Sequence, residues 1–297
     1  MDIKELITRI TDTYKDDSGI NFIDVANLPV KEKIIEILDL LTEIVFPGYT
    51  GKKAVTKSNI DSIVGETLYA VYSLLVEQIE MALRYRCRIK NCDSNGCRQS
   101  AKDSAEHLLR QLPSIREMLK GDVAAAFDGD PAAQSYEEIV ISYPCIIAIS
   151  THRIAHELYT KDVPLIPRLM AEYAHSKTGI DINPGAKIGK NFFIDHGTGV
   201  VIGETTVIGD NVKIYQGATL GALSFTKDQR GRIIKGGKRH PTIENNVTIY
   251  AEATLLGNIL IGEGSVIGAN VWIKESVPPH VIVSMQNPEL IYKKKKP

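Results

Sequence analysis

The chain has 297 residues, 35 Lys and Arg against 36 Asp and Glu, and a formal net charge of −1. This length predicts about two domains. The near-neutral charge argues against a protein that mainly grips nucleic acid or an acidic membrane. No apolar stretch is long enough to span a membrane, and the opening sequence MDIKELITRI lacks the apolar core of a secretory signal. We therefore expect a cytoplasmic protein.

Residues 1–178 carry the periodicity of helices. In VKEKIIEILDLLTEIVF, apolar residues recur at three- and four-residue steps, and Pro47-Gly48 ends the run. Further helical stretches follow up to residue 177. The sequence predicts an all-α domain over 1–178.

From residue 180 the period changes to six. Ile182, Ile188 and Ile194 are six apart, and after a slip of two residues the series resumes at Ile202. In this pattern each unit is a short strand with a tight turn, and three units close one coil, so equivalent positions stack about every 18 residues. We predict a parallel β-helix over 179–285 and thus an α+β chain.

One segment breaks the repeat. GALSFTKDQRGRIIKGGKRHP is rich in Gly, Lys and Arg and cannot lie inside the coil. We expect a loop extruded over 223–241, and loops on rigid scaffolds often carry function. Residues 286–297 are predicted to form a basic, solvated tail.

Polar residues that can do chemistry lie near the coil edges within about three turns. They are Asp181, Asp195, His196, Arg239 and His240. A histidine whose ring is oriented by a carboxylate is the minimum needed to activate a hydroxyl. Asp181 and His196 are separated by less than one coil, so the spacing leaves their contact open.

The segments YAHSKTGIDINPGAKIGKNFFIDHGTGVVIGETTVIGDNVKIYQGATLGALSF and KRHP resemble serine O-acetyltransferases. The resemblance covers about residues 130–285, with family-like helices over 126–178 and a divergent extension over 1–125. It implies a left-handed β-helix. It also implies direct acetyl transfer from acetyl-CoA to the L-serine hydroxyl, giving O-acetyl-L-serine for cysteine biosynthesis.

The resemblance assigns roles residue by residue. His196 of DHGTG matches the general base, and Asp181 of GIDINP matches the carboxylate that holds its ring. The serine clamp is matched by Asp130 and Asp195 for the ammonium and by Arg239 and His240 for the carboxylate. Asn183 stands where the family usually has His, which alters the polarity near Asp181.

Acetyl-CoA is implied to bind between neighbouring prisms as a co-substrate, with no permanently bound cofactor and no metal. The matching positions are Gly221, Ala222, Ala251, Ala269 and, for the CoA phosphates, Lys238. Cys87, Cys92 and Cys97 lack the two-residue gap of common zinc sites. We expect reduced thiols on a helix and its adjacent loop, with a metal or redox cluster as the alternative.

The resemblance also implies a homotrimer or a hexamer made of two trimers. L-cysteine is the expected feedback inhibitor, held by the serine clamp. We do not expect a stable complex with O-acetylserine sulfhydrylase, because the chain ends at Pro297 and not at isoleucine.

Three other functions fit parts of the pattern. A related acyltransferase would act on a sugar or antibiotic hydroxyl. A zinc hydratase of this fold would need three converging histidines, whereas the coil region supplies His196 and His240. A scaffold protein would have the prism without the chemistry, which the intact DHG and KRHP segments argue against.

Overall fold

The computed structural model describes residues 1–15, 19–23, 28–50, 54–90, 95–224, 228–234, 236–286 and 291–293. Most of the predicted tail and parts of the predicted loop therefore lie outside the described residues. The described helices are α1 Ile3–Asp12, α2 Lys31–Val45, α3 Ile60–Lys90, α4 Cys97–Gly129, α5 Tyr136–Ser142, α6 Pro144–Thr160 and α7 Ile166–Thr178. None of them is long and apolar enough to cross a membrane.

The helices bury the faces that the periodicity predicts. On α2 the buried side chains are Ile34, Ile37, Leu38, Leu41 and Val45. Helix α3 packs mainly on α4, and α6 packs on α4 and α7. The confirmed fold is thus a helical region followed, from Asp181, by parallel strands.

In the part of the chain that the structure describes, fourteen short strands wind into a triangular coil. They are β1 Asp181–Ile182, β2 Lys187–Ile188, β3 Phe193–Asp195, β4 Val201–Ile202, β5 Val207–Ile208, β6 Lys213–Tyr215, β7 Thr219–Gly221, β8 Thr242–Ile243, β9 Thr248–Ile249, β10 Thr254–Leu256, β11 Leu260–Ile261, β12 Val266–Ile267, β13 Trp272–Ile273 and β14 Ile282–Val283. Sheet A has the order β1-β4-β7-β10-β13, sheet B β11-β8-β5-β2 and sheet C β14-β12-β9-β6-β3. From β1 to β13, every third strand therefore stacks on the same face of the prism, and β14 then stacks on β12.

The coils differ in length where the sequence departs from its period. Asp181 pairs with Val201, so the first coil takes 20 residues and not 18. Val201 pairs with Thr219, which gives the predicted 18 for the second coil. Thr219 pairs with Thr254, 35 residues on, because the extruded loop leaves and rejoins the coil between them.

The aliphatic residues of the six-residue period fill the axis of the coil. Ile202, Leu220 and Leu255 lie in one inward row of sheet A, and each is at most 1% exposed. Along the corner between sheets B and C, Asn191 donates to Asn211 at 2.7 Å and Asn211 donates to Asn246 at 3.0 Å. All three asparagines have positive φ, a conformation that Asn tolerates better than most residues.

A buried ion pair joins the helices to the first coil. Arg153 on α6 donates from Nε and Nη2 to Asp122 on α4 at 2.7 and 2.8 Å. The guanidinium also donates to the carbonyls of Ile188 and Gly189 in the first coil. Asp122 in turn accepts a bond from the Phe192 N–H at 2.9 Å. This network fixes the end of α4 against the coil edge.

Candidate active site at the coil corners

His196 occupies an unusually long corner between β3 on sheet C and β4 on sheet A. Ile194 and Ile202 are eight residues apart across this corner, whereas the equivalent Ile214 and Leu220 are six apart. His196 has a φ of 58°, and two glycines that follow it also have positive φ. The extra residues carry the imidazole outward, and its side chain is 71% exposed.

A carboxylate lies beside this imidazole and is itself paired with a cation. Asp195 Oδ1 lies 3.8 Å from His196 Nε2, and Asp195 Oδ2 lies 3.7 Å from Lys213 Nζ. The Lys213 ammonium also donates to the Gly129 carbonyl at the end of α4. It sits 5.0 Å from the Phe193 ring centroid, a typical cation–π distance. Lys213 therefore ties the helical region to the strand beneath Asp195.

Asp130 is held beside the same corner as a carboxylate. It follows the last residue of α4 and accepts bonds from the Tyr143 hydroxyl at 2.5 Å and the Ala132 N–H at 2.8 Å. These bonds, with the nearby charges of Lys213 and His196, hold the pKa of Asp130 below its usual value. The Tyr143 pKa is raised in turn, first by its bond to Asp130.

Asp181 shares this corner but does not touch His196. It begins β1 in the outward row of sheet A, paired with Val201. Ile180, just before it, packs on the histidine corner: a Cβ added to Gly197 would lie 2.5 Å from its Cδ1. Within the part of the chain that the structure describes, the Asp181 carboxylate makes no hydrogen bond or ion pair. The Asp181–His196 dyad stays a prediction.

Arg239 lies at a different corner, where the chain passes from β7 on sheet A to β8 on sheet B. Its guanidinium forms an ion pair with Glu204 and donates to the Gly237 carbonyl at 3.3 Å. Glu204 also accepts a bond from the Tyr159 hydroxyl of α6 at 2.9 Å. The pKa of Glu204 is lowered, chiefly by Arg239. Arg239 is thus a fixed cation at the prism edge.

His240 beside it is buried and neutral. The Thr205 N–H donates to His240 Nδ1 at 3.1 Å, so the ring proton belongs on Nε2. Burial, with the Arg239 charge, lowers the His240 pKa to about 4. A Cβ at Gly203 would lie 2.1 Å from the ring, so glycine is needed there. His240 can therefore act as a hydrogen-bond donor but carries no charge at neutral pH.

The structure divides the predicted site residues between these two corners. The His196 corner holds Asp130, Asp181, Asp195 and His196, and further along the same edge lie Ala251 and Ala269, whose turns stack through the Asn270 N–H and the Ala251 carbonyl. The Arg239 corner holds Arg239 and His240, with Gly221, Ala222 and Lys238 at the two ends of the loop. Because the corners are separate edges of the prism, one chain does not bring the two groups together.

Lys238 binds backbone carbonyls where the loop rejoins the coil. Its ammonium donates to the carbonyls of Thr205 at 2.6 Å and Pro241 at 3.2 Å. Burial, with the nearby Lys187 charge, lowers its pKa. Lys238 fastens the returning loop to the coil, and its predicted contact with CoA phosphates stays a prediction.

Four residues that contact the two corners were not predicted from the sequence: Tyr143, Lys213, Glu204 and Tyr159. None belongs to a motif with a spacing of its own, because each acts through a partner far along the chain. Lys213 and Glu204 are also ordinary surface residues in the hexapeptide pattern. Among the described residues, no group of three or more side chains is suited to hold a metal ion.

Part of the coil matches a known protein-family model. Residues 240–275 match the family model described as bacterial transferase hexapeptide (six repeats). Together with the stacked parallel strands, this match places the chain among the hexapeptide-repeat β-helix proteins.

Two relatives then specify the family. The plasmid serine acetyltransferase of Synechococcus elongatus is 48% identical over 260 residues, which cover 86% of this chain and 82% of that protein. The serine acetyltransferase of Bacillus subtilis is 48% identical over 161 residues, covering 54% and 70%. The chain belongs to the serine acetyltransferase family and is an acyltransferase.

Solved structures agree with this family. Serine acetyltransferase isoform 3 of Entamoeba histolytica, in complex with cysteine, is similar with a TM-score of 0.73, 36% identity and coverage of 98% of this chain and 95% of that one. Soybean serine acetyltransferase complexed with serine gives a TM-score of 0.55 at 29% identity, covering 86% and 98%.

Proposed function

We propose that the chain transfers the acetyl group of acetyl-CoA directly to the hydroxyl of L-serine, with His196 as general base. The observation that carries this proposal is the His196 corner, where Asp130 and Asp195 flank an exposed imidazole. Two carboxylates suit the serine ammonium. The imidazole can then take the proton of the hydroxyl next to it.

The reaction needs no covalent enzyme intermediate. As the serine oxygen attacks the thioester carbonyl, His196 takes its proton, and the tetrahedral intermediate then expels the CoA thiolate. The imidazolium returns the proton to that sulfur, so acetylserine and free CoA leave with His196 neutral again. Cys145 is no alternative nucleophile, because burial raises the pKa of its thiol to about 12. Asp181 is proposed to orient and stabilise the imidazolium.

The serine carboxylate is proposed to bind at the Arg239 corner of a second chain. Arg239 offers a planar guanidinium and His240 a neutral N–H, which together suit a carboxylate. Since the two corners are distinct edges, a site using both requires neighbouring prisms. A trimer with cyclic symmetry would form three such sites, each from the His196 corner of one chain and the Arg239 corner of the next.

Acetyl-CoA is proposed to lie in the same groove between prisms. Ala251 and Ala269 lie on the same prism edge as His196, between sheets C and A. Their small side chains leave space for an extended ligand. Gly221 and Ala222 begin the loop at the Arg239 edge. The predicted acetyl-CoA positions are thus split between the edges in the same way as the serine positions, which supports one shared groove.

L-cysteine is proposed to inhibit by occupying the serine position. It differs from serine only in having a thiol where serine has a hydroxyl, so both carboxylates and the Arg239 corner would hold it equally well. A relative in Entamoeba histolytica was solved with cysteine bound. We expect inhibition that excess serine relieves.

The test is release of free CoA thiol by the purified protein with acetyl-CoA and an acceptor. We expect release with L-serine, little with L-homoserine or a sugar, and suppression by added L-cysteine. Preference for homoserine or a sugar would contradict the proposal and assign another acceptor. Cysteine inhibition that excess serine leaves unchanged would contradict the shared clamp while leaving the acetyl transfer intact.

A further inference from the structure

Two thiols meet in the helical region, where α3 ends and α4 begins. Cys87 lies in the last turn of α3, and Cys97 is the first residue of α4. Their Sγ atoms are 3.6 Å apart, which is van der Waals contact. From the sequence we expect reduced thiols on a helix and its adjacent loop, with a metal or redox cluster as the alternative. The spacing of ten residues alone does not predict this contact. Cys92, between them, lies outside the described residues.

The two helix ends are held together by a charged bridge beside these thiols. Glu80 on α3 accepts from Arg84 at 2.8 Å on its own helix and from Arg98 at 2.8 Å on α4. The Glu80 side chain is only 13% exposed, and the pKa of its carboxyl is lowered, first by Arg84. The bridge fixes the register of the helix ends, so the sulfur contact needs no reorganisation of the helices.

The two thiols differ in access. Cys97 is 5% exposed, whereas Cys87 is half-buried. An external disulfide can therefore reach Cys87, while the nearly buried Cys97 is placed to attack the Cys87 sulfur it contacts. This is the arrangement of an attacking and a resolving thiol.

We infer that Cys87 and Cys97 form a redox-active dithiol that exchanges with low-molecular-weight disulfides. The Cys87 thiolate attacks one sulfur of the external disulfide and releases one small thiolate, which takes up a proton. The Cys97 thiolate then attacks the Cys87 sulfur of the mixed disulfide and releases the second small thiol. The protein pair loses two hydrogens, and one disulfide is reduced to two thiols.

The intramolecular bond would join α3 to α4 and close a short loop. Closing a loop restricts the unfolded chain. Oxidised protein should therefore unfold at a higher temperature than reduced protein, and the difference should vanish on addition of a strong dithiol reductant. Cys145 provides an internal reference, because it is buried and the pKa of its thiol is raised to about 12.

The test treats the purified full chain with mixtures of oxidised and reduced glutathione, followed by acid quench, alkylation, trypsin and mass spectrometry. Trypsin cleavage after Arg86, Arg88, Lys90 and Arg98 leaves Cys92 and Cys97 on one peptide. The pairing is therefore read in Cys92→Ser, with Cys97→Ser as the matched variant. Circular dichroism establishes that each variant is folded.

We expect Cys92→Ser to give the Cys87–Cys97 cross-link, with Cys145 alkylated only after unfolding. We expect Cys97→Ser to stop at a glutathione adduct on Cys87. A cross-link to Cys92 in Cys97→Ser together with none in Cys92→Ser would overturn the pairing. Glutathione adducts without any cross-link, or stoichiometric metal retained by the untreated protein, would overturn the inference itself. Acetyl transfer does not enter the readout, so this result is independent of the proposed function.

Discussion

At the scale of single residues, His196 combines a left-handed backbone conformation with an exposed imidazole that can accept a proton. Two extra residues and positive φ values project an imidazole outward from the coil. Asparagine is the best non-basic replacement, because it tolerates positive φ and cannot take a proton at neutral pH. The substitution therefore tests proton transfer with little change of backbone.

We predict that His196→Asn lowers kcat by about 100-fold or more, the usual contribution of a general base. The KM for serine should change much less, because the two carboxylates and the Arg239 corner remain. Steady-state CoA release measures both constants. His280→Asn is the matched control, since His280 is exposed and also has positive φ, 59°, at a different corner. Turnover of His196→Asn equal to the wild type would remove His196 from the mechanism.

His152 gives a prediction for the pH dependence of stability. Burial lowers the pKa of this residue well below its usual value, and His156 and Arg153 add to the shift. Its Nδ1 has no hydrogen-bond partner among the described residues. The unfolded chain takes up a proton near its ordinary pKa of about 6.5, whereas the folded chain does not. The contribution of neutral His152 to the free energy of unfolding is therefore fully present above the ordinary pKa and is lost as the pH falls below it.

We predict that His152→Gln reduces this pH dependence. Between about pH 7.5 and about pH 5.5 the wild type should lose about 1 kcal/mol of unfolding free energy through His152, and the variant should not. Urea unfolding at both pH values measures the difference. An unchanged pH dependence in a folded variant would show that His152 does not carry it.

At the scale of elements, the helical region and the coil are joined through Asp122 and Arg153. Both side chains are almost fully buried, and burial raises the pKa of Asp122 against the opposing effect of Arg153. Removing one charge of such a pair leaves the other desolvated without compensation. Substituting one residue of the pair should therefore cost more unfolding free energy than replacing both residues by well-packed apolar side chains.

We predict that Asp122→Asn destabilises the protein by about 3 kcal/mol. The neutral variant should also loosen the contact between α4 and the first coil. Urea unfolding followed by circular dichroism gives the free energy. The control is Glu106→Gln, which breaks the exposed pair with Arg110 and should cost less than about 0.5 kcal/mol. Equal effects of the two substitutions would contradict the assigned role of the buried pair.

The elements themselves were largely predictable from the sequence. The six-residue period gave the strands, the axis-facing aliphatics and the interruption after Leu220, because each coil repeats the same local requirement. It did not give the 20-residue first coil, although the slip after Ile194 was its visible sign. The ion pair of Asp122 with Arg153 and the sulfur contact of Cys87 with Cys97 depend on how long helices dock. No local pattern encodes that docking.

At the scale of the whole molecule, the predicted site residues lie along two different edges of the prism, one between sheets C and A and one between sheets A and B. If the predicted strands are assigned to the three faces in turn, His196 follows a strand of sheet C and Arg239 precedes a strand of sheet B. The six-residue period therefore suffices to place the two residues on different edges of the prism. Treating all five polar residues as one group along the coil obscured this separation. From this separation we propose that each active site is shared by two chains.

The most direct test is complementation between two inactive variants, His196→Asn and Arg239→Ala, co-expressed with different tags and purified as mixed oligomers. In trimers assembled at random from equal amounts, about a quarter of the shared sites receive both intact corners. We predict recovery of about that fraction of wild-type activity, while each variant alone, and a mixture of His196→Asn with Asp195→Asn, stays inactive. Mixed oligomers without recovered activity would contradict a shared site and place the whole reaction within one chain.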